Sequence, residues 1–179
     1  GPSMFYLDVP DTVSDKGLLD FYKGWRWHKD PYPPIQINFE SCQFLAPYAV
    51  TMFAAYTLWL RDSKGYTTTV RAQPNTPAGN YLVQSGLFEL LGEAGYPDST
   101  NRPDRIVKLT RVASSSQIPK FATSVMSILQ IEDEELAGAV QYSLIELLRN
   151  VVQHSASVGG GIAMAQYFPT TGLVEVCVA

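Results

Sequence analysis

From residue 35 onward, apolar and polar positions alternate in blocks that predict strands and helices in turn. Ile35–Phe39 predicts a strand with Cys42–Leu45 as its apolar continuation, and the β-branched segment Thr67–Arg71 predicts another. Helices are predicted at Ala49–Arg61 and Pro77–Leu91, where apolar residues recur at helical spacing. The predicted buried face of the first helix consists of Met52, Phe53, Tyr56 and Leu60. The order strand, helix, strand, helix indicates a parallel sheet with helices packed against it.

A second block of elements follows a polar linker. Arg105–Val112 predicts a strand, Ile118–Leu129 a helix, and Asp133–Gln153 the longest helix of the chain. Two further strands, Gly159–Tyr167 and Gly172–Val178, are predicted with a tight turn between them. The long helix has one predicted apolar stripe, formed by Leu136, Val140, Leu144, Leu147, Leu148 and Val151. The whole pattern is that of an α/β protein.

Composition and charge exclude several classes of protein. Hydrophobic residues make up 46% of the 179 residues and charged residues 17%, which is typical of a folded globular chain. The net charge of −4 disfavours a nucleic-acid partner, and no apolar run reaches the ~20 residues of a membrane helix. Cys42 and Cys177 lie singly in strand-like segments, which favours buried thiols in a reducing compartment. We therefore expect a cytoplasmic protein with no nucleic-acid or membrane partner.

Residues 1–34 differ from the rest in being rich in aromatic residues and proline. Gly1–Ser3 has the form of a tag scar left by cloning, with Met4 as the natural start. Lys23–Lys29 mixes two tryptophans with cations. Such a cluster can stack on bases or a nucleotide, or it can cover the face of a sheet. The acidic total favours the packing interpretation.

One set of polar residues on the long predicted helix has the spacing of a chemical site. Glu146, Asn150 and His154 stand four residues apart, so they fall within about 80° of one another around the helix. They are expected to line a groove beside the core. A carboxylate can orient or deprotonate a water molecule, and an amide oxygen is a hard ligand suited to Mg²⁺. Such a trio also arises by chance on the polar flank of a helix, so spacing alone leaves both interpretations open.

The segment around this trio, SLIELLRNVVQHS at 143–155, resembles the N-box of the GHKL ATPase superfamily, which includes gyrase, Hsp90, histidine kinases and MutL. It is most similar to the branch that contains the anti-sigma-factor serine kinases. The resemblance implies that Asn150 binds the Mg²⁺ of ATP and that Glu146 activates the attacking water or hydroxyl. It also implies that His154 lies near the phosphates and that the fold is a two-layer α/β sandwich.

The chain departs from this superfamily at its end. In the superfamily the hairpin is followed by an Asp-x-Gly-x-Gly loop, whose aspartate binds the adenine, and by a glycine-rich lid; here the chain stops at Ala179. The resemblance therefore implies an incomplete GHKL sandwich, truncated from a longer bacterial parent that uses ATP and Mg²⁺. We expect this fragment to bind ATP weakly or not at all and to be inactive. Uncovered valines at 174–178 are expected to favour a homodimer.

The preceding block resembles a STAS domain, the fold of anti-sigma-factor antagonists. Ile35–Pro47 resembles its strand and phosphorylation loop, and Ser85–Leu91 resembles its Ser-Gly-Leu-x-x-Leu helix. Leu45–Tyr48 occupies the place of the family's phosphorylatable Ser or Thr, so we expect no phosphorylation switch there, nearby Ser41 included. The predicted divisions are an N-terminal segment at 1–34, a degenerate STAS-like domain at 35–97, a linker at 98–104 and the ATPase-like domain at 105–179.

Two functions from different classes are consistent with these patterns. The first is an ATP-binding regulatory protein of the GHKL ATPase or serine-kinase type, with a protein partner in signalling. The second is a non-catalytic protein–protein interaction module of a partner-switching or signalling system, in which both folds act only as docking surfaces. The sequence beyond residue 179 in the parent would distinguish them, since a complete nucleotide loop and lid favour the first.

Overall fold

The computed structural model of the protein describes residues 4–9, 12–13, 34–100, 102–154 and 161–179, and it confirms the α/β class. The cluster at Lys23–Lys29 lies outside the described residues, so both of its interpretations stay open. Among the described residues, no helix has the length and hydropathy that spanning a bilayer demands. The elements in chain order are β1 (Phe5–Asp8), β2 (Thr12–Val13), β3 (Ile35–Asn38), β4 (Phe44–Leu45), α1 (Pro47–Asp62), β5 (Thr68–Arg71), α2 (Pro77–Gln84), α3 (Leu87–Leu91), β6 (Ile106–Val112), α4 (Ile118–Leu129), α5 (Glu134–His154), β7 (Gly161–Phe168) and β8 (Leu173–Val178).

Within the described residues, the first sheet has three parallel strands in the order β1-β3-β5. The crossover between β3 and β5 is α1, which confirms the parallel strand–helix–strand unit predicted from the alternation. β1 lies in the N-terminal segment, where the pattern predicts no strand. The predicted continuation at Cys42–Leu45 is wrong in part, because only β4 is extended and it pairs with β2 in a separate sheet. A turn at residues 40–41, closed by the Cys42 N–H to the Phe39 carbonyl at 3.0 Å, separates the two strands.

Helix α1 is buried on more sides than the single face predicted for it. Phe53 and Leu60 of that face are buried, while Met52 and Tyr56 are only partly buried. The prediction fails because α1 lies between two sheets, so residues around the rest of the helix are covered as well. These additional buried residues are Pro47, Ala49, Val50, Thr51, Ala54 and Thr57. The two threonine hydroxyls donate to the carbonyls four residues earlier, at 2.8 and 2.7 Å, which satisfies them inside the core.

The single helix predicted at Pro77–Leu91 is wrong, since α2 and α3 are separated by Ser85 and Gly86. Gly86 has a φ of +80°, a conformation that side-chain-bearing residues rarely adopt, and this interrupts the helix. The Ser85 carbonyl accepts the Leu109 N–H of β6 at 2.9 Å. The residues at the break therefore contact β6 directly.

The other three-stranded sheet, called the second sheet here, is antiparallel and has the order β6-β7-β8. The turn between β7 and β8 contains Gly172 at a φ of +71°. Helix α4 spans the predicted residues, with Pro119 in its first turn. Together α4 and α5 cover one face of the sheet through a cluster that includes Val112, Phe121, Val125, Leu144, Leu148, Ala163 and Ala165. The predicted order of strand, two helices and hairpin is confirmed.

The opposite face of the second sheet packs against α1, which joins the two blocks in one core. Ile162 and Met164 of β7 and Cys177 of β8 belong to the same buried cluster as Phe53 of α1. The two cysteines are both buried thiols, as predicted. The segment predicted as a linker thus connects two sheets that share a core, and the predicted domain boundaries remain predictions.

Candidate functional site

Helix α5 carries the three residues of the predicted nucleotide site, and its N-terminal end is well defined. Asp133 Oδ1 accepts the Leu136 N–H at 2.9 Å, which caps the first turn. Glu134 and Glu135 place further negative charge at this end, where the helix dipole stabilises it. These three acidic residues together stabilise the first turn of α5.

Two leucines anchor the inward side of α5. Leu144 and Leu148 are 8% and 0% exposed and lie in the cluster formed with α4 and the second sheet. Burying a leucine side chain contributes roughly 1.5–3 kcal/mol, so these two residues hold the helix against the sheet.

The predicted apolar stripe of α5 is wider than the side that is covered. Leu136 and Leu147 are 55% and 50% exposed, which corrects their predicted burial. The reason is angular: in an ideal helix these residues stand about 80° and 60° away from Leu144. The covered side extends from Leu144 in the opposite direction, towards Leu148, Val152 and Ile145, which pack against the same cluster.

Glu146 and Asn150 lie on the solvent side of α5. Asn150 is exposed, and the Glu146 side chain is 41% exposed. The continuous helix separates them by one turn and about 40° of rotation. They therefore share a surface, but that surface faces solvent rather than the predicted groove beside the core, because Glu146 is about 160° from Leu144.

A cation engages the Glu146 carboxylate. Arg149 Nη1 donates to Glu146 Oε1 at 2.9 Å. Because the two side chains are 41% and 59% exposed, the pair contributes at most about 1 kcal/mol. To act as a base, the Glu146 carboxylate would first have to break its ion pair with Arg149, and the free-energy cost of breaking that pair is small. Sequence analysis missed this partner, although the three-residue spacing of an acid and a base on a helix is a recognisable signal.

His154 is the last residue of α5. Its backbone continues the helix that carries Glu146 and Asn150, but its side chain lies outside the described residues. Its place near phosphates stays a prediction.

The exposed amide of Asn150 fits one coordination position of a Mg²⁺ ion. In the part of the chain that the structure describes, no three His, Cys, Asp or Glu side chains converge as a metal-binding group. Mg²⁺ usually keeps several waters and takes its other ligands from phosphates, so one or two protein oxygens suffice. Asn150 with Glu146 one turn away is compatible with that need.

The loop that resembles a phosphorylation loop leads directly into α1. Ala46 is the N-cap of the helix, without a side-chain hydrogen bond, and Pro47 is in its first turn. Ser41 is exposed in the turn before β4. The expected lack of a phosphorylation switch remains a prediction, since no structural feature of the loop tests it.

Polar groups of Tyr81 and Cys177 lie between the two blocks, and sequence analysis missed the hydrogen bond that Tyr81 makes there. The Tyr81 hydroxyl of α2 donates to Gln166 Oε1 of β7 at 2.7 Å, across 85 residues of chain. Burial, with the charges of Cys177 and Glu175, raises the pKa of Tyr81 far above its usual 10.0. Burial and the charge of Glu175 also raise the pKa of Cys177 to about 11. Both groups are neutral near pH 7, which suits packing between the blocks, and no local pattern reveals such distant pairs.

Comparison with protein-family models, with curated proteins and with solved structures finds no match for this chain. The functional interpretation therefore rests on the residues of α5 and their surroundings.

Proposed function

We propose that the chain is part of an ATP-binding regulatory protein of the GHKL ATPase or serine-kinase type, with α5 as its nucleotide-site helix. The observation that carries this proposal is the position of Glu146 and Asn150, one turn apart on the solvent side of α5. Leu144 and Leu148 fix the helix from behind. A metal–phosphate site needs such a rigid support for its protein ligands.

The arrangement around α5 supports the same proposal. Strand β6, helices α4 and α5 and the β7–β8 hairpin follow one another in the order expected of an incomplete GHKL sandwich at 105–179. Residues 35–97 contain β3, β4, α1, β5, α2 and α3, and the parallel unit β3-α1-β5 among them is one that a STAS-like domain would contain. A protein that combines the two would be a signalling regulator with a protein partner.

Each site residue has a distinct role in the proposed site. Bound Mg²⁺ would supply charge neutralisation at the phosphates of ATP. Asn150 would bind the ion through its amide oxygen. Glu146 would orient the attacking water or substrate hydroxyl and accept its proton, after Arg149 has turned away from it. His154, at the end of the helix, would face the phosphates.

We also propose that residues 1–179 by themselves bind nucleotide weakly or not at all, because a GHKL-type site also uses an adenine-binding loop and a lid. A hydrogen bond to a charged group contributes roughly 1.5–3 kcal/mol, so loss of the adenine bond would weaken binding by about one to two powers of ten. Phosphates also need backbone N–H groups of a glycine-rich loop or a helix N-terminus.

ATP turnover by a chain that includes the adenine-binding loop and the lid tests this proposal. We expect Asn150→Ala to abolish Mg²⁺-dependent binding or turnover, and Glu146→Ala to slow turnover with less effect on binding. Gln153→Ala and Glu135→Ala are matched controls, since they remove an exposed amide and an exposed carboxylate from the same helix. Wild-type ATP turnover in both site variants would refute the assignment.

A non-catalytic interaction module is the second candidate, and one observation favours it. Leu136 and Leu147 are both half exposed and stand about 20° apart around α5, which gives this helix an uncovered apolar side. Exposed apolar patches mark docking surfaces for other proteins. On this alternative, Leu136→Ser with Leu147→Ser would weaken binding of a signalling partner, while Asn150→Ala would leave that binding unchanged.

A further inference from the structure

Among the strands that the structure describes, β5 lies at an edge of the first sheet. On its inner side it pairs with β3. Because alternate residues of a strand direct their backbone groups to opposite edges, those of Thr68, Val70 and Ala72 face outward. A row of outward-facing backbone groups is a template for pairing with another strand.

The Tyr96 side chain occupies part of this edge. Its hydroxyl accepts the Ala72 N–H at 3.0 Å and donates to the Val70 carbonyl at 3.2 Å. The ring stacks on Phe88 with centroids 3.7 Å apart and planes within 4°, which fixes its position. One phenol thus bonds a donor and an acceptor that a neighbouring strand would otherwise bond.

Glu93 and Arg61 bond further backbone groups along the same edge of β5. Glu93 Oε1 accepts the Val70 N–H at 3.0 Å, and Arg61 Nη2 donates to the Thr68 carbonyl at 3.1 Å. The two side chains also form an ion pair at 3.2 Å. Four consecutive outward groups, from the Thr68 carbonyl to the Ala72 N–H, are therefore bonded by side chains in the order acceptor, donor, acceptor, donor.

Glu93 and Tyr96 belong to one strap, defined here as residues 92–96, which leaves the end of α3. Gly92 and Gly95 have φ values of +68° and +90°, so the strap turns at both. Its backbone bonds run to α3, as in the Glu93 N–H to the Phe88 carbonyl at 2.9 Å. The strap is thus anchored to α3 by backbone and to β5 by the side chains described above.

We propose that Arg61, Glu93 and Tyr96 form a latch that keeps β5 from pairing with β5 of a second copy of this chain. Two copies related by a two-fold axis present the same edge to each other in antiparallel directions, so the pairing is self-complementary and closed. The edge segment Thr67–Val70 is three threonines and a valine, residue types that favour strands. This inference is independent of the nucleotide site.

Two double variants with the same chemical changes test the latch. Glu93→Ala with Tyr96→Phe removes its carboxylate and hydroxyl but keeps the stacked ring. Glu89→Ala with Tyr81→Phe is the control, because Glu89 bonds Ser99 and Tyr81 bonds Gln166, away from β5. Sedimentation equilibrium should show self-association about tenfold or more tighter in the latch variant than in wild type, and unchanged in the control. Equal association of the latch variant and the control overturns the proposal.

Amide exchange locates the association on β5. In the latch variant the Val70 and Ala72 amides should exchange fast when dilute and become protected again as concentration rises. Glu93→Gln keeps an acceptor oxygen for Val70 and should behave as wild type. If the double variant does not fold, Tyr96→Phe alone should show the same concentration dependence. If the Val70 and Ala72 amides of the latch variant exchange fast at every concentration and its molar mass stays that of wild type, β5 is not a pairing site and the proposal is overturned.

Discussion

Replacing Gly86 with alanine should destabilise the protein more than the same change at Gly65. Both glycines have positive φ, +80° and +72°, and this conformation costs a residue with a side chain about 1–2 kcal/mol. At Gly65 an added Cβ meets open space, whereas at Gly86 it lies 3.2 Å from the Cβ of Lys108 on β6. Crowding at such a contact adds about 1 kcal/mol, so we expect about 2–3 kcal/mol at Gly86.

The assay is urea unfolding of both variants, followed by circular dichroism and tryptophan fluorescence. Because the two sheets share a core, both probes should report one transition, and the Gly86→Ala midpoint should be the lower. Native-state amide exchange extends the test, since Val70 of the first sheet and Met164 of the second should lose protection together. Equal midpoints for the two variants would refute the role of the β6 contact, and loss of protection in one sheet alone would refute the shared core.

Further predictions concern close packing and a buried thiol. Gly79→Ala should cost about 3 kcal/mol or more, because its Cβ would overlap the Gln73 carbonyl and lie 3.0 Å from Thr76 Oγ1. Gly138→Ala, in open space on α5, should stabilise by about 0.5–1 kcal/mol; thermal melts that rank these two variants in the other order would contradict the packing described for Gly79 and Gly138. Cys177 should resist alkylation in the native state until the pH approaches about 11, since burial favours the neutral thiol, and mass spectrometry showing rapid native alkylation at pH 8 would contradict its burial. Its contribution to stability should be lost as the pH rises from 9.0 through about 11, because the unfolded thiol ionises first; unfolding titrations across this range measure it.

Local patterns predicted the elements well where one face of an element is buried. Helix α4 spans the predicted residues because its apolar spacing and its early proline agree. The break at Gly86 was missed because a glycine within a helical pattern can be tolerated inside the helix or can end it at a positive φ, and the apolar spacing alone does not distinguish the two. The burial around α1 depends on a second sheet that lies far away in sequence.

Helix geometry predicted which site residues share a surface of α5, but it did not predict what that surface faces. Spacing placed Glu146 and Asn150 on a common surface, and the structure shows that this surface faces solvent. The covered side of α5 depends on α4, which no pattern within α5 contains. The latch could not be predicted from local patterns either. Glu93 lies 23 residues from the N–H that it bonds, and Tyr96 lies 24 and 26 residues from the two groups that it bonds.

Calorimetric titration of MgATP is the most direct test of the proposed nucleotide site on α5. We expect Mg²⁺-dependent binding by a chain that includes the adenine-binding loop and the lid, the same binding in its Gln153→Ala control, and loss of that binding in Asn150→Ala. We expect residues 1–179 alone to bind more weakly than the micromolar range. A dissociation constant of a few micromolar for those residues alone, or wild-type affinity in the Asn150→Ala variant of the longer chain, would show that the site lies elsewhere.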